Sequence, residues 1–592
     1  MDRLPKLPDQ QSRRQSPWFP TMTGWYDPLQ LLRTGIQVAI STIFSENADY
    51  RQIEALGSPE DPEPEFKAPD GKSDFWVDIA CDVGDGWNST YSIASAIAQP
   101  ELRLRDPSSN QEISTRRGQV LIFGGDEVYP LSSRDAYQEK LVRPYRTALC
   151  HTLPGQHPHL YAIPGNHDWY DSLVSFTRLF CTGRWIGGWK TCQKRSYFVL
   201  GLPHGWWIVG SDIQLNSDID EPQIQYLRQR LLHLPKNDRI ILCTAEPHWI
   251  YNHLYRKNER SEPNEYDAAF RKSNLHFLEE QIGRRISVYV SGDLHHYRRH
   301  EAPDGRQKIT AGGGGAFLHP THGPDVSLLE EDFGLKASFP DASTSRKLTY
   351  RNLLFPLLNP KFLIVPAILY TIAAWAATRT LGSTGWDHCG SALGHVVRFS
   401  LETPLAVLWW ALLFAAFWLF TDTHRPAYRI VGGSLHALAH TAAAFFLGWG
   451  AAAAAGQVFG PDPERWKNIL GSLMLLFLSG GVAGGVIVGV YLLVSLNVFG
   501  VHVTEAFSSL RCEDWKNFLR LRIGPDGVLT IFPIGIRRVG KKWSQEGGQY
   551  QPCASQDRAA TPPALIEAPI QVKHRAVELP AAKPDCTCQS RD

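Results

Sequence analysis

A chain of 592 residues is too long to bury itself around one core. Its 60 Lys and Arg nearly cancel its 59 Asp and Glu, and a formal net charge of +1 excludes bulk electrostatics as a means of holding nucleic acid. The charge is also segregated: residues up to about 350 mix charged and apolar side chains as a soluble domain does, whereas roughly 360–503 carries long uncharged runs of Leu, Ala, Val, Phe and Trp, so a membrane domain is expected there.

The first residues, Met1-Asp2-Arg3-Leu4-Pro5-Lys6, have no apolar core behind their charges, so no secretory signal is expected. The ten cysteines are scattered without metal-site spacing in the soluble part, as for reduced thiols on a cytosolic face, and Cys586-Thr587-Cys588 is a weak metal candidate in a Pro/Ala-rich tail. Residues 1–17 read as disordered. Asp27-Pro28 reads as an N-cap and first turn, leading into Leu29, Leu31, Leu32, Ile36, Ile40, Ile43 and Phe44. Arg33 and Gln37 interrupt that run, so the helix either packs on the soluble domain or lies in a membrane interface. Residues 57–73 read as a loop, and 1–74 as tail plus helix.

Between Phe75 and Phe317, apolar runs alternate with helical stretches. Trp76–Cys81 leads to Asp82, Gln119–Phe123 to Gly124-Gly125-Asp126, and Leu160–Ile163 to Gly165-Asn166-His167-Asp168. Ile240–Cys243 leads to Glu246-Pro247, and Ile286–Val290 to Gly292-Asp293-Leu294-His295-His296. Helices are expected near 90–99, 132–149, 171–181, 221–233 and 266–282, and a hairpin over 196–212. This pattern predicts an α/β domain layered around a sheet over 75–350, and in such sheets ligands sit outside the carboxyl ends of the strands.

Two divalent cations a few ångströms apart can clamp a phosphoryl group, one polarising its oxygens while a metal-bound hydroxide attacks in line. That needs hard oxygen and imidazole ligands from several strand ends, one carboxylate bridging both ions. The strand ends offer Asp82, Asp126, Asn166, Asp293 and His295, with Asp85, His167, Asp168 and His296 beside them. Each alone is an ordinary turn; five in order at five strand ends point to a site.

On these residues the sequence resembles the calcineurin-like metallophosphoesterases over about 75–320. Gly125-Asp126-Glu127-Val128-Tyr129 matches the family's Gly-Asp block and Gly165-Asn166-His167-Asp168 its Gly-Asn-His-Asp/Glu block. The resemblance implies a β-sandwich flanked by helices, with Asp126 bridging two ions, Asp82 and Asn166 binding one each, and His295 as a ligand. It implies that His167 assists the leaving group while Asp168 holds its ring. Gly84, Ala245 and Asp293 stand where the family has histidines, with Asp85, Asp293 and Glu246 as carboxylate replacements. Such ligands favour Mn²⁺ or Mg²⁺, with Fe or Zn²⁺ as options. The implied activity is metal-dependent hydrolysis of a phosphomonoester or phosphodiester, lipid-linked substrates included. The alternatives are a catalytically decayed domain that senses a ligand or metal, and a transporter gated by the domain. The run Gly312-Gly313-Gly314-Gly315, with His319 and His322 after it, would let backbone approach something closely. Arg298, Arg299 and His300 either neutralise a substrate phosphate or form a solvated strand exit.

Four spans are expected within 351–505: 362–378, 403–421, 430–460 and 468–502. Gly480, Gly481, Gly484 and Gly485 suit close helix approach and a helix-mediated oligomer. His436 and His440 share a helix face, for a metal or haem or for interhelical hydrogen bonds. Basic residues flanking the spans place the catalytic domain and both termini in the cytoplasm. A small cytoplasmic β-hairpin at 506–542 and a disordered tail at 543–592 complete the expectation.

Overall fold

The computed structural model describes residues 19–45, 64–66, 73–152, 156–213, 218–257, 273–381, 389–421, 425–460, 466–546, 549–552 and 560–572. Expectations for residues 1–17, for 57–63 and 67–72, and for Cys586 and Cys588 lie outside them. In chain order the strands are Phe75–Ala80 (β1), Glu101–Arg105 (β2), Glu112–Arg116 (β3), Val120–Gly124 (β4), His159–Ile163 (β5), Trp185–Ile186 (β6), Trp189–Thr191 (β7), Phe198–Leu202 (β8), Trp206–Gly210 (β9) and Arg239–Thr244 (β10). They continue with Ile286–Ser291 (β11), Tyr297–Glu301 (β12), Gln307–Ala311 (β13), Gly334–Phe339 (β14), Lys516–Ile523 (β15), Leu529–Ile536 (β16), Trp543–Glu546 (β17), Gln549–Pro552 (β18), Ala564–Leu565 (β19) and Ile570–Val572 (β20).

One sheet runs β19-β16-β15-β1-β4-β5-β7-β6, with β20 also on β16, and a second runs β14-β12-β13-β11-β10-β9-β8. Ile79, Ile122 and Ile163 of the first and Ile241, Val288 and Ile309 of the second share one core. Outside the first sheet, the helices at Trp87–Ala98 and Val174–Phe180 and the helical run 134–148 close a second core. Outside the other sheet, Glu221–Leu231, His248–Lys257 and Asn274–Ile282 close a third. β1, β4 and β5 are parallel neighbours, as are β10 and β11, so their carboxyl ends gather at one edge.

The expected appendage at 506–542 is corrected: its hairpin is part of the main sheet. β15 lies antiparallel to β1, Phe75 opposite Ile523, and the buried Arg520 guanidinium donates to Asp78 Oδ1 at 2.7 Å. A buried charge is tolerable only when paired, so this ion pair fixes the strand's register across 442 positions of sequence. The tail is corrected as well. β17 and β18 form a hairpin, β19 and β20 extend the sheet, and Glu567 between them receives both Arg299 Nε at 2.9 Å and Arg299 Nη2 at 2.6 Å.

Beyond β14 the chain is helical. Pro426–Phe459 and Trp466–Phe499 are long and apolar enough to cross a membrane; a pair bent by 60°, Ala342–Leu358 and Pro360–Ala373, would make a third if it counts as one span. Val407–Phe420 is apolar but shorter, so the described helices meet two to three of the four expected spans by length and composition. The glycine face of Trp466–Val494 is filled inside the chain. A Cβ at Gly484 would come within 2.3 Å of Pro366, and one at Gly489 within 2.2 Å of the Asn352 carbonyl. These small residues therefore admit the chain's own helix Ile364–Leu381 and the segment before it.

Candidate active site

Three of the strand ends share an unusual backbone. Asp82 after β1, Asp126 after β4 and Asp293 after β11 adopt positive φ, at 58°, 54° and 64°. Aspartate tolerates this left-handed conformation better than most residues, and each use costs energy that a packed fold must supply. The turns aim the carboxylates back across the strand ends. Neighbouring glycines leave room for them: a Cβ at Gly165 would lie 2.1 Å from Asp126 Oδ1, and one at Gly292 or Gly312 would lie 2.5 Å from Asp82 Oδ2. The expected close approach of the glycine run is thus onto β1's end, with Gly314 N donating to Cys81 O at 2.9 Å.

The group meets at the phenol of Tyr129. Its hydroxyl lies 2.8 Å from Asp82 Oδ1, 3.0 Å from Asp126 Oδ2 and 3.0 Å from His295 Nε2, while His295 Nε2 is 3.6 Å from Asp82 Oδ1. Asp293 joins through its backbone, whose N–H donates to Asp82 Oδ2 at 2.9 Å, and its side chain accepts the Tyr251 hydroxyl. Tyr129 was not among the expected site residues, although it stands three positions after Asp126. That spacing, in a tight turn, is the signal that would have found it.

The histidines are oriented by carbonyls. His295 Nδ1 faces Phe317 O at 2.8 Å; a carbonyl only accepts, so Nδ1 carries the proton and Nε2 turns its lone pair toward the carboxylates. His167 Nδ1 likewise donates to Pro130 O at 2.7 Å, leaving Nε2 as its working nitrogen. Its backbone N–H donates to Asp126 Oδ1 at 2.9 Å. Asp168 does not hold the His167 ring, contrary to the expectation. Its buried carboxylate accepts from Gly165 N (2.9 Å), Glu127 N (3.2 Å) and the Tyr137 hydroxyl, which fixes the turn that presents His167.

Electrostatically the site is overloaded with acid. Burial, then repulsion from Asp126 and Asp293, pushes the Asp82 carboxyl well above its ordinary range. Burial raises Asp126, and raises Asp293 to about 6. Burial holds His295 well below the usual imidazole range, hence neutral.

Other expected residues are placed elsewhere. Asp85 Oδ1 receives Thr23 N at 2.8 Å and lies 3.8 Å from Lys140 Nζ, so this carboxylate braces the N-terminal segment. Gly84 cannot be replaced by a histidine without movement, because its Cβ would lie 2.1 Å from Glu127 O. Asn166 is exposed, its amide donating to the Tyr170 hydroxyl at 3.3 Å, and Ala245 brings no ligand. His319 stacks on His295 at 4.0 Å, whereas His322 turns away to Ser345 Oγ at 2.8 Å. Arg298 and Arg299 are buried, Arg298 on Thr321 O and Arg299 on Glu567, so neither is a solvated strand exit.

Among the described residues, no three His, Cys, Asp or Glu side chains form a ready metal cage. The donor chemistry nevertheless fits a cation. One phenol proton serves three acceptors, and a neutral imidazole already carries its proton on the far nitrogen, so the group is short of positive charge.

Residues 82–297 match the family model of the calcineurin-like phosphoesterases. No curated protein matches the chain. Among solved structures, a purple acid phosphatase, PPD1, from yellow lupin (Lupinus luteus) seeds is 13% identical with a TM-score of 0.30, over 47% of this chain and 50% of that one. PhoD is 11% identical with a TM-score of 0.26, over 43% of this chain and 59% of that one. The chain thus spans about half the length of these structures. It carries a calcineurin-like phosphoesterase domain at 82–297, and the match supports a metal-dependent phosphoesterase in general.

Proposed function

We propose that the chain hydrolyses a phosphomonoester or phosphodiester with the help of divalent cations held at the ends of β1, β4, β5 and β11. The observation that carries this is the meeting of Asp82, Asp126 and His295 on the Tyr129 hydroxyl within 3.0 Å each, apart from the Asp82–His295 distance of 3.6 Å. These four would hold one ion; Asp126, Asn166 and Asp293 would hold a second with fewer donors, Mn²⁺ or Mg²⁺ suiting both. When bound, such ions polarise phosphoryl oxygens and acidify an attacking water. The chain's own part is separate. His295 presents Nε2 because Phe317 O holds its Nδ1 proton. His167, tied at Nδ1 to Pro130 O and at its backbone to Asp126, acts as the imidazolium, passing its Nε2 proton to the leaving oxygen and keeping the Nδ1 proton on Pro130 O. Asp168 keeps that turn in place.

The same reading makes the chain an integral membrane protein with its phosphoesterase domain on the cytoplasmic face, supported by two helices long and apolar enough to cross a membrane and by the basic residues flanking the expected spans. The test is hydrolysis of an aryl phosphomonoester and an aryl phosphodiester by the full chain in detergent, stripped of metal and refilled, beside Asp126→Asn. Activity that returns with metal and is absent from the folded variant supports the reading. A folded wild type that binds metal yet cleaves neither ester favours the sensor alternative, which the missing histidines at 84, 245 and 293 motivate.

A further inference from the structure

The helix Pro28–Ser45 is packed inside out. Gln30, Thr34, Gln37 and Val38 are its half-buried side, with Gln30 Nε2 donating to Thr34 Oγ1 at 2.8 Å and Gln37 Nε2 to Tyr170 O at 2.9 Å. Leu29, Leu32, Ile36 and Ile40 form a stripe that is 56%, 60%, 53% and 44% exposed, with Leu31 beside it. A helix serving a water-facing surface puts such a stripe inward. The start of this helix is tied to the apolar helices. Asp27, just before the helix, takes Lys361 Nζ at 2.6 Å, and the Tyr26 ring packs on Phe355 at 4.9 Å and Phe362 at 5.4 Å, where the bent apolar pair turns. Leu353, Leu354 and Leu357 on that pair are also exposed.

The same segment borders the catalytic turn. Trp25 lies edge-on to His167 at 5.8 Å, and Gln37 holds Tyr170, whose hydroxyl receives the Asn166 amide. The segment thus meets the turn 166–170 at two points, Trp25 on His167 and Gln37 on Tyr170. We infer that the helix 28–45 lies in the membrane interface with its Leu/Ile stripe among the acyl chains, and that the Asn166–Tyr170 turn therefore opens on the bilayer and takes a phosphoester carried on a lipid head group. Residues of this kind, lying flat with one apolar face, bind at the head-group boundary. The inference rests on the phosphoesterase reading above, and its test separates the two.

The full chain is reconstituted in phosphatidylcholine vesicles with a minority of phosphatidic acid, as wild type and as the Leu32→Glu, Ile36→Glu double variant. Hydrolysis of phosphatidic acid is compared with that of a soluble aryl phosphomonoester. The expected result is a more than tenfold loss on the lipid with the aryl phosphate rate held within about twofold, since neither residue touches the site. Equal loss on both substrates, or loss on neither, overturns the inference. In parallel, a fluorophore at Leu32→Cys should be quenched by nitroxide-labelled lipid in the bilayer. If wild type cleaves neither substrate the phosphoesterase reading has failed, and this quenching alone decides the helix. Absence of quenching, or shielding that follows protein density instead of lipid, assigns the stripe to solvent or to a second copy and overturns the docking.

Discussion

Two buried clusters in this molecule use the same residue types for different ends. At the strand ends, His295 and Tyr129 meet Asp82 and Asp126. In the helical region, the Tyr370 hydroxyl lies 2.7 Å from His440 Nδ1, His440 Nε2 lies 3.1 Å from His436 Nε2, His436 stacks on Tyr491 at 3.9 Å, and the Tyr491 hydroxyl reaches His502 Nε2 at 3.0 Å. Imidazoles and phenols there serve one another as donor and acceptor, with a carboxylate at the cluster's edge, Glu505 Oε1 lying 3.7 Å from His502 Nδ1. At the strand ends, acceptors outnumber protons. Charge balance, not residue type, separates a cation site from interhelical glue.

Substitutions should break that symmetry in order of size. Asp126→Asn should lower metal-dependent hydrolysis by about a thousandfold or more while the chain stays folded, because among the described residues no other carboxylate touches both Tyr129 and the His167 backbone. An unchanged rate in a folded variant would remove the mechanism. His167→Ala should cost about a hundred- to ten-thousandfold in turnover with metal affinity nearly intact; equal loss of both would make it a ligand. Tyr129→Phe should weaken metal binding tenfold or more, measured by titration of the stripped protein. By contrast, Tyr370→Phe in the helical cluster should leave hydrolysis unchanged and cost about 1 kcal/mol or less of stability.

The acid excess also gives a pH signature. Asp293 has a folded value raised to about 6, and Asp82 and Asp126 are raised too, so the metal-free native state holds protons that the unfolded chain releases near pH 4. Stability of the stripped protein should therefore fall as pH rises from about 4 through 6. Added Mn²⁺ should flatten that slope, read as Tm against pH. A rising slope without metal would contradict the electrostatics.

The sequence made the strand ends legible because each block is local: apolar run, tight turn, polar side chain. Asp82, Asp126, Asp293 and His295 come together as that pattern implies, and His167 stands beside them. Asp85 was misplaced because the turn after Asp82 sends it to Thr23 and Lys140. Asp168 was given the wrong partner because adjacency in sequence does not make adjacency of side chains in a one-turn helix. The β15–β16 hairpin looked detached because hairpin patterning is local and says nothing of neighbours. Its one legible hint was Arg520 inside an apolar strand, a charge that needed Asp78. Glu567 was hidden for the same reason, in a Pro/Ala-rich tail where nothing local marks it as the carboxylate that anchors Arg299.

The central claim is that a cation completes the charge of the strand-end cluster, and Mn²⁺ titration of the stripped full chain by calorimetry tests it most directly. Binding of at least one ion per chain, lost in the folded Asp82→Asn, Asp126→Asn double variant and retained in Tyr370→Phe, is the predicted result. A folded wild type that binds no ion, or a double variant that binds as wild type does, would contradict it.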